Sequence, residues 1–476
     1  MIRMKNRKEV RSMTDSLYFR REALPFPLFS VIVSLHGNRI QEEFFRPHTK
    51  HTLHRMFSVT KSYTALAVCA LAAEGRISLQ DPIISRFPDY TPADPHPYLS
   101  EMTVQDLLDM KTCHRATTYK LNPREHWVRS FFTTPPDHRS GQIFKYDTSA
   151  AHTLAALVYR VTGTGILDYL REVFLAAVGF SESAYVIKDP FGDEIGGSGL
   201  MASAEDLAVT AEFLMSLYQG TWAERYPSVI SETYNRSFFE RFRALFCQCV
   251  TFRSATMHEG KTLEECQGYG SQFWMIRNGF MMYGMGGQYA AFFPDEDLVI
   301  ITTADAQSLQ GGSQMILDEM NRIDTALRNE AGRVSPSPSR PDAPNHIGSL
   351  SAVIAALSGS YRFLPNSNGF RSCTICKEKV TLVHEEAVYR FPVSTEHPSE
   401  IRDPRYHQRL FVQTFPLEDG SLYLFLQILD ESVGSIRILI QGGNRTVTVY
   451  LRTVEESLFS EMNAFLEGTA VESMNL

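Results

Sequence analysis

Arg55-Met56-Phe57-Ser58-Val59-Thr60-Lys61-Ser62 opens an Ala- and Leu-rich stretch that runs to Glu74-Gly75, and its reading decides the fold. The apolar interior, with a glycine where a helix-ending residue belongs, predicts a helix over residues 58–74. Three residues apart on a helix, the Ser58 hydroxyl and the Lys61 amine share one face and can exchange a proton. A serine hydroxyl is a weak nucleophile until a base removes its proton, and a lysine partly withdrawn from water has a lowered pKa and can do so. At a helix start the free backbone N–H groups and the positive dipole end can also hold a developing oxyanion. Taken alone, these few residues fit an ordinary surface helix better; the order of the surrounding segments changes the weighting.

Working outward, residues 29–35 (FSVIVSL) alternate as a strand does, His36-Gly37-Asn38 is a turn, and residues 39–45 return, which predicts a hairpin. Residues 82–268 carry mostly helical patterning, as at 103–110, 149–162 and 203–218, and read as a helical insert. Three strand-like runs follow: 271–277, then 280–283 continuing through 288–293, then 298–304, with turns at Asn278-Gly279 and 294–297. Residues 314–329 are an amphipathic helix, and the Pro- and Ser-rich segment after it has the composition of a linker. Short strand runs at 361–363, 387–391, 422–428 and 436–440 fill the rest. The expected architecture is an α/β catalytic domain over 1–331, a linker over 332–346 and a small β-rich accessory domain over 347–476. The catalytic domain would hold a five-stranded antiparallel sheet flanked by helices.

The segment around Ser58 and Lys61, followed by Ala73-Glu74-Gly75-Arg76-Ile77-Ser78-Leu79-Gln80-Asp81-Pro82, resembles the first signature of the penicillin-binding and class C β-lactamase-related serine hydrolases, in which S-x-x-K is a known element. Leu107-Leu108-Asp109-Met110, Phe144-Lys145-Tyr146-Asp147-Thr148, Gly196-Gly197-Ser198-Gly199-Leu200 continuing to Leu207, and Tyr283-Gly284-Met285-Gly286-Gly287-Gln288 follow in that family's order. The resemblance covers roughly residues 25–329, and it implies a β-lactamase/transpeptidase-like fold and acyl-enzyme chemistry. Tyr146 falls where the family places a tyrosine that shares proton transfer with the lysine, and a phenol near an ammonium can titrate low enough to act as a base. By resemblance, the N–H groups of Ser58 and Gln288 form the oxyanion hole, and Thr148, Met285, Gly286 and Gly287 line the substrate site.

Two departures from the family pattern matter. Thr148 stands where the tyrosine motif has asparagine, so a hydroxyl replaces an amide. Met285 stands where the third motif has Lys or His, which removes the cation expected to face a substrate carboxylate. The expected function is therefore a serine hydrolase cleaving an ester or neutral amide of a small molecule. A β-lactamase or D-alanyl-D-alanine peptidase is the nearest alternative, and a non-catalytic ligand-binding or regulatory protein is the alternative of another class.

At 43% hydrophobic and 21% charged residues the composition is that of a globular protein. A formal net charge of −8 without a basic stripe argues against nucleic acid as a partner. The basic stretch 1–11 is followed by no apolar run of the signal-peptide kind, and residues 64–73 are too short an apolar stretch for a membrane span. Seven cysteines, an odd count, suit reduced thiols, and a cytoplasmic location is expected. Cys373-Thr374-Ile375-Cys376 has metal spacing but no second pair nearby, and the 14 histidines include no zincin pair, so neither a metal nor a cofactor is expected. The sequence leaves the oligomeric state open.

Overall fold

The apolar run at the hairpin is buried at nearly every residue and forms β1 (Leu28–Leu35), and after the turn β2 (Asn38–Phe44) returns beside it with Ile32 opposite Glu42. The computed structural model that shows this describes residues 16–332, 347–429, 434–443, 445–454 and 459–471. The basic stretch 1–11 and most of the predicted linker, residues 333–346, lie outside the described residues.

Four strands extend the hairpin: β3 (Trp274–Ile276), β4 (Gly279–Gly284), β5 (Gln288–Phe293) and β6 (Leu298–Ala304). The order is β2-β1-β6-β5-β4-β3, and every neighbouring pair is antiparallel. The sheet thus has six strands, one more than expected, because the run from 280 to 293 is two strands that fold back on each other. The reversal is at Met285-Gly286-Gly287, where Gly286 has φ +88° and Gly287 φ +94°, and it sets Gly284 opposite Gln288. Both arms are apolar, so the alternation of residues carries no mark of the reversal. Every residue of β5 and β6 is buried, as a strand covered on both faces requires.

Helix α1 (Val59–Ala73) is buried at every residue except Ala72, which makes it the axis of the domain rather than a surface helix. It is flanked by α2 (Thr148–Thr162), lies against β4, and meets the helix Arg236–Cys249. Helix α3 (Ala204–Gln219) packs on β1, β5 and β6; Ser203 caps it in a reciprocal pair with Asp206. Helix α4 (Arg236–Cys249) turns an aromatic stripe of Phe238, Phe239, Phe242 and Phe246 into the same core, and α5 (Gly312–Glu330) follows the sheet. The predicted helix at 103–110 is shorter, Val104–Leu108, with its own capping box from Thr103 and Asp106. A small three-stranded sheet joins His54–Arg55, just before α1, to Leu200–Ala202 and Tyr185–Val186 of the insert, and strands of two or three residues leave no period in the sequence.

Among the described residues the C-terminal part has a helix, α6 (Leu350–Leu357), and ten strands: β7 (Gly359–Phe363), β8 (Phe370–Ile375), β9 (Lys379–His384), β10 (Val388–Pro392), β11 (Ser399–Arg402), β12 (Arg409–Pro416), β13 (Leu422–Ile428), β14 (Ser435–Gly443), β15 (Thr446–Val454) and β16 (Ala464–Ala470). They form one antiparallel sheet in the order β10-β9-β8-β7-β16-β15-β14-β13-β12-β11. Its inner face has a hydrophobic core separate from that of the N-terminal part. The period of two divides β13 cleanly: Leu422, Leu424, Leu426 and Ile428 face that core, while Tyr423 faces the other way. There Tyr423, Leu439 and Tyr450 pack on Ile143, Ala255 and Met257, so the outer face of the sheet docks on loops of the insert. Among the described residues, no helix is long and apolar enough to cross a membrane.

Candidate active site

The nucleophile candidate sits at a backbone bend. Phe57 has φ +45°, unusual for a bulky residue, and Ser58 follows as the N-cap of α1 with no capping bond from its own side chain. The bend is held from outside: Met56 N–H donates to Leu200 O at 2.8 Å, and Leu200 N–H donates to Thr60 Oγ1 at 3.0 Å. Ser58 Oγ is thereby turned to Lys61 Nζ, 3.1 Å away. The spacing of three on a helix brings the two together as the sequence implies.

Lys61 is only 1% exposed, and its amine also donates to Gly197 O at 2.6 Å. Burial lowers its pKa to about 7, Asp147 acts in the opposite sense, and Lys120 lowers it further. A large share of the amine is therefore neutral near pH 7, the form that can take a proton. The Gly196-Gly197 run reads in the sequence as a plain turn before a helix; in the fold it is the backbone that Lys61 rests on. A Cβ at Gly197 would come within 2.4 Å of Thr148 Cγ2 and 3.5 Å of Lys61 Nζ, so only glycine allows this approach.

Tyr146 packs its ring 4.9 Å from Lys61 Nζ and stacks on Trp274 at 5.6 Å. Burial pushes its phenol well above the usual range, with a hydrogen bond to Ser58 working the other way. This corrects the expectation that the nearby ammonium lets Tyr146 titrate low: desolvation of the buried phenolate is the largest effect and outweighs the hydrogen bond that favours it. At neutral pH the phenol keeps its proton and can pass one rather than start as a base.

Asp147 is a participant to which sequence reasoning gave no role. Buried completely, it caps α2 by accepting Ser149 N–H at 2.8 Å and also accepts Thr112 Oγ1–H at 3.3 Å. Burial raises its carboxyl to about 6, against those hydrogen bonds and the attraction of Lys61. An aspartate directly before Thr148-Ser149 and an apolar helix is an N-cap signature, and that signal was available. Thr148 takes the first position of α2, its N–H donating to Thr117 Oγ1 at 3.2 Å and its methyl packing on Gly197.

The β4–β5 hairpin closes the opposite wall. A Cβ at Gly284 would lie 2.3 Å from Met56 O, which puts the hairpin directly against the segment leading to Ser58. At its tip Met285 is 47% exposed, and Gly287 lies against Ile316 of α5 and Ala304 of β6. Gln288 is buried with its side-chain amide donating to Ala304 O at 2.7 Å.

Metal-ligating groups gather elsewhere, at His152, Asp189 and Asp193. His152 Nε2 lies 3.2 Å from Asp189 Oδ2, while Asp189 Oδ1 accepts the N–H groups of Phe191 and Asp193. These bonds tie the 189–193 turn to α2. All seven cysteines are free thiols, including Cys373 and Cys376; Cys69 and Cys249 bring their sulfurs to 3.4 Å in the core.

The family model described as Beta-lactamase matches residues 26–315. No match was found among the curated proteins. Among solved structures the chain is similar to SurE, with a TM-score of 0.51 and 14% identity over 98% of this chain and 99% of that one. It is also similar to a protein described as a putative 6-aminohexanoate-dimer hydrolase from Bacillus anthracis, with a TM-score of 0.48 and 18% identity over 70% of this chain and 84% of that one. A third, EstCE1, described as a hydrolase with promiscuous acyltransferase activity, matches with a TM-score of 0.47 and 13% identity over 66% of this chain and 97% of that one.

Proposed function

Since the chain belongs to the Beta-lactamase family, we propose that it is a serine hydrolase that cleaves an ester or neutral amide of a small molecule through an acyl-enzyme on Ser58. The observation that carries this reading is the buried Lys61 amine, 3.1 Å from Ser58 Oγ with its pKa lowered to about 7. Neutral Lys61 takes the Ser58 proton as Oγ attacks the substrate carbonyl. The N–H groups of Ser58 and Gln288 hold the resulting oxyanion. As the tetrahedral adduct collapses, the leaving group receives a proton from Lys61 by way of Tyr146. Water, giving a proton back along the same route, then releases the acid and restores Ser58.

Uncharged Met285 at the hairpin tip supports substrates without a carboxylate at that place, rather than penicillins or D-alanyl-D-alanine peptides. Incubation with a fluorophosphonate or a p-nitrophenyl ester, followed by intact-mass measurement and peptide mapping, is expected to give one adduct at Ser58 that Ser58→Ala abolishes. No adduct on the intact protein would sink the hydrolase reading. A penicilloyl adduct at Ser58 after incubation with a labelled penicillin, stable or rapidly cleared, would overturn the preference for esters and neutral amides.

A further inference from the structure

We propose that Tyr450 and Glu259 are positioning residues for this reaction: acting through Lys145, they fix the backbone that carries Tyr146, so the accessory sheet governs the proton-transfer tyrosine. The inference rests on the role given to Tyr146 above. Tyr146 lies in an irregular stretch between the tip at Gly141 and the start of α2, with no strand ladder to set its position. What holds that stretch is a set of individual bonds. Lys145 N–H donates to Met110 O at 2.9 Å on one side, and His258 Nε2 donates to Phe144 O at 2.9 Å on the other.

Between these, the Lys145 side chain turns away from the active site toward the accessory sheet. Its amine lies 2.6 Å from Glu259 Oε1 and 3.3 Å from Tyr450 Oη, with the Tyr450 ring 5.4 Å off. Tyr450 Oη in turn donates to Glu259 Oε1 at 2.8 Å. The charges suit a clamp. Although burial favours the neutral acid, Lys145 and the hydrogen bonds hold Glu259 below the usual carboxylate range, and burial together with Glu259 keeps the Tyr450 phenol protonated as a donor. The loop bearing Glu259 is gripped by β14 and β15, because Arg437 donates to Met257 O and Arg452 to His258 O, both at 2.7 Å. A chain of contacts therefore runs from Tyr450 of β15 through Glu259 to Lys145, the residue next to Tyr146, and through Arg452 and His258 to Phe144.

A bland alternative is that these contacts only dock the two parts together. Asp419 separates the two ideas, since its carboxylate accepts Ala255 N–H at 2.9 Å across the same interface without touching the 144–146 stretch. The experiment is pre-steady-state acylation of the full-length protein by p-nitrophenyl acetate, with the burst rate, half-saturating ester concentration and Tm read for wild type, Tyr450→Phe, Glu259→Gln and Asp419→Asn. Misplacement on the ångström scale costs up to about a hundredfold, so Tyr450→Phe and Glu259→Gln are each expected to slow the burst about tenfold. Half-saturation and Tm should stay close to wild type, and the double variant should be little worse than either single one because both act on one clamp. Asp419→Asn should keep the wild-type burst rate. Wild-type burst rates in Tyr450→Phe and Glu259→Gln would overturn the proposal, as would an equal loss in Asp419→Asn. If the wild-type protein gave no burst and no adduct at Ser58, the catalytic reading itself would fall, and this inference with it.

Discussion

Two stretches meet where Gly284 lies against the Met56 carbonyl, and they differ in kind. The segment from Met56 to Lys61 is enclosed and its polar atoms are tied together: Lys61 to Ser58 and Gly197, Thr60 to Phe57 and Leu200. The hairpin tip from Met285 to Gln288 presents an exposed apolar side chain and no charge. In the proposed function the first stretch carries the acyl transfer, and the second offers no charge for recognising a carboxylate. If the proposed function holds, the contrast teaches that the chemistry and the choice of substrate are separable, being held by different elements of the fold.

The largest effect should come from breaking the enclosed stretch. Ser58→Ala is expected to lower kcat for a p-nitrophenyl ester by about a thousandfold or more, since loss of a nucleophile is among the most costly changes an active site can suffer. Tm should change little, because the Ser58 side chain makes no capping bond and the variant loses only its hydrogen bonds to Lys61 and Tyr146. A calorimetric scan beside the assay checks both. Gly197→Ala should cost about a hundredfold, because the added methyl must displace Thr148 or the carbonyl that Lys61 donates to.

A pH profile sharpens the comparison without any mutation. In the proposed mechanism the active form of Lys61 is the neutral amine, so acylation should rise with pH, reach half its plateau near the lowered pKa of about 7, and fall one decade per unit below it. An acylation rate of Ser58 that stayed flat between pH 5 and pH 9 would remove Lys61 from the role of base.

The enclosed stretch was also the more legible of the two. The closeness of Ser58, Lys61 and Tyr146 is what motif order implies, and the helices from residues 148 to 162 and 204 to 219 follow from helical patterning. Gly197 escaped because its function lies in a carbonyl, which every residue has; only its position against α1 gives that carbonyl a role. The reversal at Gly286-Gly287 escaped because both arms of the hairpin are buried, and the alternation that marks a strand is lost when both faces are covered. Strands β8 and β9 escaped for another reason: polar residues such as Thr374 and Lys379 alternate with Cys373 and Val380, and short runs of that kind are ambiguous. The clamp at Lys145, Glu259 and Tyr450 joins residues up to 305 positions apart, and no local pattern records such a contact.

The smallest effect should come from restoring what the hairpin lacks. Met285 is 47% exposed, so a lysine there would point a well-hydrated ammonium across the site, and part of its attraction to a carboxylate would be screened by solvent. Charge-assisted hydrogen bonds are worth about 1.5–3 kcal/mol, so at the low end of that range Met285→Lys should raise the rate of acylation by a labelled penicillin about tenfold. Acylation by p-nitrophenyl acetate, which carries no carboxylate, should be little changed, because the Ser58 and Lys61 pair is untouched. The ratio of the two rates is therefore the quantity to measure. If Met285→Lys left that ratio where it was, the missing cation would not be what sets substrate choice, and the separation of chemistry from recognition drawn between the two stretches would have to be sought in Thr148 instead.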